Sequence, residues 1–206
     1  MEKPDKKANI LSAAETLFSE LGYEGTSTRQ IAKESGANMS MINYYFGSKE
    51  GVFLEIMNQR LQEFNVQLTS INEERISSME KLMQIIESYT RRILNNISFH
   101  KMMHRELSLA QRPEMFCKLK DAMSLNLNVI EQIINEGIAE GSFKPIDIRM
   151  LIASIMGTIT NVATMPSKIT RGSVLDITIP EDREVLTQRL ILHLKDLVTT
   201  YITPQK

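Results

Sequence analysis

The stretch that decides the fold is Thr26–Gly51, which reads TSTRQIAKESGANMSMINYYFGSKEG. Two short helices fit this stretch, because Gly36 follows the first and glycine tolerates the left-handed conformation of a helix end. Asn38 is a favourable N-cap for the second helix. Ala32 is small where the two helices cross, and Ile42 is apolar where the second meets the first. These offsets predict a helix-turn-helix.

Apolar side chains recur every three or four residues through most of the remaining chain, and this spacing predicts further amphipathic helices. Their expected ranges are 5–21, 48–69, 76–97, 99–109, 114–139, 147–165 and 181–202. Residues 166–180 carry no helical stripe, and the alternation in 174–179 allows a short strand. We therefore predict an all-α fold of about nine helices, in which the first three form a helix-turn-helix domain.

Charge gives no general signal of nucleic-acid binding, since the formal net charge is -1. Within residues 1–55, eight acidic side chains outnumber the basic ones, which are Lys3, Lys6, Lys7, Arg29, Lys33 and Lys49. Phosphate contacts need local lysine and arginine. Any DNA-binding surface must therefore come from the arrangement of a few cations, with the acidic groups turned away.

The compartment is predicted from three negative features. Cys117 is the only cysteine, so no intrachain disulfide can form and a reducing interior is the simple interpretation. The polar start of the chain, residues 1–7, lacks the apolar segment of a signal peptide. The uncharged segment 150–167 contains several polar residues and only just reaches spanning length, about 17–20 residues. We expect a cytoplasmic protein without a membrane span.

The segment Ile42–Phe53, together with Thr28–Ala32 and Gly36–Ala37, resembles the tetracycline-repressor (TetR) family of bacterial transcription regulators. The resemblance covers roughly residues 8–57. At Tyr45 many members of the family carry histidine, but tyrosine can also donate to a phosphate.

The resemblance implies a DNA-binding domain over residues 1–50 and a ligand-binding and dimerisation domain over residues 51–206. It also implies a homodimer that binds a near-palindromic operator. Most members repress, and a small molecule releases them.

The expected DNA contacts lie on the two short helices. The exposed, mostly N-terminal residues of a recognition helix reach the bases, and Asn43 can bond to an adenine edge while Met41 touches a thymine methyl. Arg29 is the candidate for a guanine or a phosphate. The full set of predicted DNA-binding residues is Thr26, Ser27, Thr28, Arg29, Met39, Ser40, Met41, Asn43, Tyr44, Tyr45 and Lys49.

The resemblance also implies a pocket for a small, apolar ligand among the central helices, which are rich in methionine and aromatic residues. The alternative is that these side chains simply fill a core. The candidate lining residues are Met83, Ile86, Tyr89, His100, Met103, His104, Phe116, Met123, Asn126 and Leu127. His100 and His104 have the spacing of a shared metal site, but no third ligand is near. We predict no metal and no cofactor.

The last two long helices are the expected dimer surface, by analogy with the family. The predicted contact residues are Ile155, Ile159, Leu190, Leu194, Leu197 and Val198. The alternative is that both apolar stripes belong to the core of one chain.

Two other functional classes compete with a DNA-binding regulator. An enzyme is not supported, because the sequence has no phosphate-binding loop and no nucleophile elbow. A helical protein-interaction module without DNA binding is the remaining alternative. Binding to duplex DNA, with its steep dependence on salt, separates the three classes.

Overall fold

The computed structural model describes residues 6–108, 113–172 and 175–204, without the side chains of Ser108, Pro113, Phe116, Ser167 and Lys168. The described residues form helices joined by turns. The helices are α1 (Lys6–Gly25), α2 (Thr28–Ser35), α3 (Met39–Phe46), α4 (Lys49–Glu73), α5 (Ser78–Asn95), α6 (Ile97–Ser108), α7 (Pro113–Ala139), α8 (Ile148–Thr164), α9 (Ser167–Thr170) and α10 (Pro180–Ile202). The predicted all-α fold is confirmed, and the four-residue helix α9 is the one that the apolar spacing did not predict.

Two helices begin with the same reciprocal cap. The hydroxyls of Ser27 and Ser77 accept the N–H of Gln30 and Glu80, both at 3.2 Å, and those side chains accept the serine N–H in return. These bonds satisfy backbone groups that the start of a helix leaves unpaired. A cap of this kind stabilises a helix by about 1 kcal/mol, so the starts of α2 and α5 are fixed by local sequence.

The predicted strand near residue 177 is wrong for the described part of that segment, 175–179. The carboxylate of Asp176 accepts both the N–H and the hydroxyl of Thr178, at 2.9 and 2.7 Å. The N–H of Ile179 donates to the Asp176 carbonyl at 2.9 Å. This turn leads into α10, because a short side chain that bonds its own backbone favours a turn over an extended strand. Residues 173 and 174 lie outside the described residues.

The described chain divides into two compact units. The first comprises the chain up to Phe64 together with Ser98–Ser124, and the second comprises Asn65–Ile97 and the chain from Leu125 onward. Each unit has its own hydrophobic core. This division differs from a boundary at residue 50, because α6 and the first half of α7 supply four buried side chains to the first core: Phe99, Met102, Met115 and Leu119.

Three aromatic rings lie at the centre of the first unit. Phe18, Tyr23 and Phe53 have ring centroids 5.3–5.6 Å apart, within the range of favourable aromatic pairs. Gly22, at φ 76°, bends α1 between Phe18 and Tyr23. The bend allows both rings to enter one core although only five residues separate them in sequence.

In the second unit, α5 packs against α8 and α10. Two ion pairs join α5 to α10: Lys195 to Glu87 at 2.6 Å, and Arg91 to Glu184 at 2.9 Å. Exposed pairs of this kind contribute little stability, so apolar burial holds this unit together. Across the described residues, none of the helices has both the length and the apolar character needed to cross a membrane.

The corner between α3 and α4 requires glycine at position 51. A methyl group added there would collide with the carbonyl oxygen of Phe46, which is backbone and cannot rotate away. The two helices therefore approach each other as closely as their backbones allow.

We expect Gly51→Ala to lower the free energy of unfolding by about 1–3 kcal/mol, because the added methyl forces the corner apart. Urea denaturation measures this change. Gly25→Ala is the matched control, since its new methyl would meet only the Leu21 Cβ at 3.4 Å. If both variants unfold at the same urea concentration as the original chain, the close approach has no energetic role.

Candidate nucleic-acid interface

The turn between α2 and α3 has the geometry expected from the sequence. Gly36 has φ 62°, in the left-handed region that ends α2. The side chain of Asn38 accepts the N–H of Met41 at 2.9 Å and begins α3. Ala32 and Ile42 are buried in one core cluster where α2 packs against α3. The predicted helix-turn-helix is therefore present.

The outer face of α3 is exposed and chemically mixed. Ser40 and Asn43 are exposed, and the exposed fractions of Tyr44 and Tyr45 are 83% and 42%. The two tyrosine rings lie edge to face, with centroids 5.2 Å apart. Met39 is also exposed. Amide, hydroxyl and apolar groups on one short helix are the groups that read base edges in the major groove.

The predicted contacts of α2 occupy different environments. Arg29 is exposed, and Thr28 is half-buried. Ser27 is exposed, but its hydroxyl donates to the Gln30 side chain at 2.7 Å within the cap. On α3, Met41 is half-buried against the core of the first unit. Arg29 and Ser27 are thus the exposed residues of this group, and the Ser27 hydroxyl is already used in the cap.

The prediction that Thr26 contacts a phosphate is wrong for its side chain. Thr26 is buried, and its hydroxyl donates to the carbonyls of Gly22 and Leu17 at 2.8 and 3.1 Å. Thr26, Ser27 and Thr28 each carry a hydroxyl that could cap α2. Ser27 takes that role because Gln30, three residues later, completes the reciprocal bond.

Lys49, which is predicted to contact a phosphate, is half-buried and bonded within the protein. Its ammonium donates to the carbonyls of Tyr23 and Thr26 at 2.8 and 2.9 Å, and it lies 4.3 Å from the centroid of the Tyr23 ring. Two of its three N–H donors are therefore used within the protein. Partial burial lowers the pKa of Lys49, and the negative charge of Glu106 acts in the opposite direction.

Glu106 is a buried carboxyl on α6, with an exposed fraction of 3%. Burial raises its pKa, while the charges of Arg105 and Lys49 oppose that shift. A nearby positive charge favours the ionised form of a carboxyl, so Lys49 and Glu106 act on each other's pKa in opposite directions. This pair lies within the same unit as the helix-turn-helix.

The start of α4 is also held from outside the helix-turn-helix. The hydroxyl of Ser48 accepts the N–H of Gly51 at 3.1 Å, and Glu50 pairs with Lys118 of α7 at 2.7 Å. Both Lys49 and Glu50 therefore interact with residues that come more than fifty positions later in the chain. Neither pairing could be predicted from local sequence.

The predicted ligand-pocket residues are divided between the two units. The second unit contains Met83, Ile86, Tyr89, Asn126 and Leu127, and the first contains His100, Met103, His104 and Met123. The side chain of Phe116 lies outside the described residues. Burial raises the pKa of Tyr89 to about 12, so its phenol stays protonated at neutral pH.

The two spaced histidines lie in different environments. His100 is buried, whereas His104 is exposed. An exposed side chain does not fit an enclosed pocket, so the placement of His104 there is wrong. Among the side chains that the structure describes, no group of three or more His, Cys, Asp or Glu could hold a metal ion.

Most of the predicted dimer residues lie on the buried sides of α8 and α10. Five of the six are buried within the core of the second unit: Ile155, Ile159, Leu190, Leu194 and Val198. Leu197 alone is exposed, at 43%. The apolar stripes of α8 and α10 pack against the rest of their own unit, so these five side chains are not available to a second chain.

The opposite faces of the same two helices are accessible. On α8, Gly157 and Asn161 line an open groove together with Ala153, Ser154, Thr158, Val162 and Ile169. On α10, Leu192 and Val185 are exposed. The small residues at 153, 154, 157 and 161 repeat at helical spacing, and that spacing was the signal in the sequence for this face.

Two family models match the chain. The model of the bacterial regulatory proteins of the tetR family matches residues 10–56, and the model of the tetracyclin repressor-like C-terminal domain matches residues 75–164. The first match contains α2 and α3, and the second runs from the residues before α5 to the end of α8. Both halves of the chain thus carry the pattern of one family.

Named relatives are regulators. The chain is 26% identical to the fatty acid metabolism regulator protein of Bacillus subtilis over 164 residues, which are 79% of this chain and 84% of that protein. It is 38% identical to the transcriptional regulator RutR of Escherichia coli over 69 residues, which are 34% of this chain and 32% of that protein.

Solved structures share the fold. The fatty acid degradation regulator FadR of Bacillus halodurans aligns with a TM-score of 0.75 at 23% identity, over 95% of this chain and 97% of that one. FadR of Bacillus subtilis, in complex with stearoyl-CoA, aligns with a TM-score of 0.74 at 23% identity, over 91% and 96%. By the two family models and the helix-turn-helix, this chain belongs to the TetR family of transcriptional regulators, which are not enzymes.

Proposed function

We propose that this protein is a cytoplasmic repressor that binds a near-palindromic operator as a homodimer and is released by a small molecule that carries an apolar chain. The observation that carries the proposal is the outer face of α3, where the ring of Tyr44 is 83% exposed beside Asn43. An exposed aromatic ring beside an exposed amide gives this face both an apolar surface with a hydroxyl and a group that can bond to a base edge.

The proposed operator contacts follow from this face. Asn43 would bond to an adenine edge. Met39, which is exposed, would contact a thymine methyl in place of the half-buried Met41. Ser40, Tyr44 and Tyr45 would add hydroxyl contacts, most of them to phosphates, which fix register without reading sequence. With no Arg or Lys on α3, guanine readout would come from Arg29 on α2.

Dimerisation would place two recognition helices about 34–36 Å apart, in successive major grooves. We propose the exposed faces of α8 and α10 as the contact surface. Gly157 and Ala153 would let two backbones approach closely, and Leu192, whose exposed fraction is 66%, would be covered by the partner. This arrangement replaces the buried contacts that the sequence suggested.

For the ligand we propose a long-chain acyl thioester of coenzyme A. One relative, which matches 79% of this chain, is a fatty acid metabolism regulator. Within the second unit, Met83, Tyr89 and Leu127 are partly buried and pack against the core, where flexible methionine adapts to an acyl chain. We keep Ile86, His100, Met103, Met123 and Asn126 as further candidates for ligand contacts.

Selection of genomic fragments with the purified protein, followed by binding titrations, tests operator binding. We expect affinity to fall steeply with salt, because bound phosphates release counterions. Asn43→Ala should weaken binding by about 1–3 kcal/mol and relax the preference at one base pair. Asn135→Ala, at an exposed asparagine of α7, is the matched control and should bind normally.

Retention of no genomic fragment would contradict the operator proposal and favour a protein-interaction module. A binding constant that does not change with salt concentration would also contradict the operator proposal. If Asn43→Ala and Asn135→Ala bind equally well, α3 does not read bases through Asn43.

Leu192→Glu should convert the dimer to a monomer, because a carboxylate would be buried at the centre of the contact surface. Light scattering after size-exclusion chromatography gives the mass. Leu125→Glu is the control, since Leu125 lies on α7 and is 58% exposed. A dimer mass retained by Leu192→Glu, or lost equally by Leu125→Glu, would count against this surface.

Fluorescence anisotropy of a labelled operator tests the ligand. We expect stearoyl-CoA to release the DNA, with stearate and free coenzyme A each weaker because each lacks half of the ligand. By linkage, the operator should weaken stearoyl-CoA binding by the same factor. Equal operator affinity in the presence of all three compounds would exclude this ligand class while leaving operator binding intact.

A further inference from the structure

The ammonium of Lys49 lies at the junction between α1 and α2, although Lys49 itself begins α4. It donates to two backbone carbonyls of that junction, those of Tyr23 and Thr26, at 2.8 and 2.9 Å. The face of the Tyr23 ring lies 4.3 Å away. A cation above an aromatic face and within reach of two carbonyls is in a favourable electrostatic site.

The junction is held at a second point by Thr26. Its hydroxyl donates to the carbonyls of Gly22 and Leu17, and its N–H donates to Tyr23 at 3.4 Å. Thr26 is therefore bonded through its hydroxyl to Leu17 and Gly22 of α1, and through its carbonyl to Lys49. Ser27, the next residue, is the cap of α2.

Helix α6 places a carboxyl group where it acts electrostatically on Lys49. Glu106 is buried and interacts electrostatically with Lys49. These residues all belong to the first unit.

We propose that Lys49 is a positioning residue for operator binding: its ammonium fixes the α1–α2 junction, and thereby the start of α2, against which α3 packs. The inference rests on the proposed operator binding. In a direct phosphate contact, the ammonium of Lys49 would bond to the DNA. In the positioning role it bonds to the two backbone carbonyls, and those bonds already exist in the free protein.

The two roles predict different dependences of operator affinity on salt concentration. A lysine that contacts a phosphate contributes about 0.9 to the slope of log affinity against log salt. A lysine that positions α2 and α3 changes the fraction of protein molecules whose conformation can bind DNA. The observed affinity is proportional to that fraction, and no phosphate contact is added. Removing the ammonium should then lower affinity at every salt concentration by the same factor.

The test compares Lys49→Met with Arg29→Met in the full chain, using a selected genomic operator. We expect Lys49→Met to weaken binding on the order of tenfold, with the salt slope unchanged. Hydrogen exchange of the free protein should become faster across residues 22–36, because the junction loses two bonds. Arg29 is exposed, so Arg29→Met should leave exchange unchanged and, where Arg29 contacts a phosphate, lower the slope by about 0.9.

A slope lowered by about 0.9 in Lys49→Met, with exchange of the free protein unchanged, would overturn the proposal in favour of a phosphate contact. If the original chain binds no DNA, the proposed function fails, and the exchange measurement still decides whether Lys49 holds the junction.

Lys49→Arg covers the case in which Lys49→Met does not fold. The guanidinium can donate to both carbonyls and stack on Tyr23, so we expect near-normal exchange and operator affinity. Amine labelling of the original chain needs no substitution: operator DNA should leave the labelling of Lys49 unchanged. Protection of Lys49 by DNA would contradict the proposal.

Discussion

The recognition helix depends on contacts at its two ends. An eight-residue helix is well below the roughly 12–15 residues at which isolated helices become stable in water, and α3 buries only Ile42 completely. Its orientation is therefore set by the Asn38 cap at one end and by the corner with α4 at the other. At that corner the Phe46 carbonyl and the Cα of Gly51 leave no room for a side chain. The exposed residues of α3 are consequently not needed to hold the helix in place.

The unit that carries the helix-turn-helix is larger than the segment that the family motif covers. Helix α6 and the first half of α7 complete its core, and they also supply Glu106 and Lys118, which interact with Lys49 and Glu50. Two consecutive residues at the start of α4 are thus paired with two later helices. A change in α6 or α7 would alter the electrostatic surroundings of the helix-turn-helix without any movement of α3 itself.

Local chemistry explains what could be predicted. The helix-turn-helix follows from Gly36 and Asn38, and the helices follow from apolar periodicity, because both signals act within a few residues. The choice of Ser27 over Thr26 as the cap was also in the sequence, in the glutamine three residues later.

Long-range contacts explain most of what could not be predicted. Periodicity shows that α8 and α10 each bury a stripe, but it cannot say whether that stripe meets its own chain or another. The five buried dimer candidates were assigned on that ambiguity. In the same way, nothing near Lys49 in the sequence shows that its ammonium reaches Tyr23 and Thr26, since those carbonyls are fixed by the bend at Gly22. The short strand near residue 177 failed for a local reason. The alternation of apolar residues there favours a strand, but the side chain of Asp176 favours a turn.

The low number of free cations near α3 has a kinetic consequence. Non-specific DNA affinity comes almost entirely from lysine and arginine contacts to phosphates, and on α2 and α3 the exposed cations are Arg29 and Lys33. If the chain binds an operator as proposed, it would be held weakly by random DNA and would dissociate from it quickly. Its search for the operator would then proceed mainly by diffusion through solution, with short sliding tracks along the duplex.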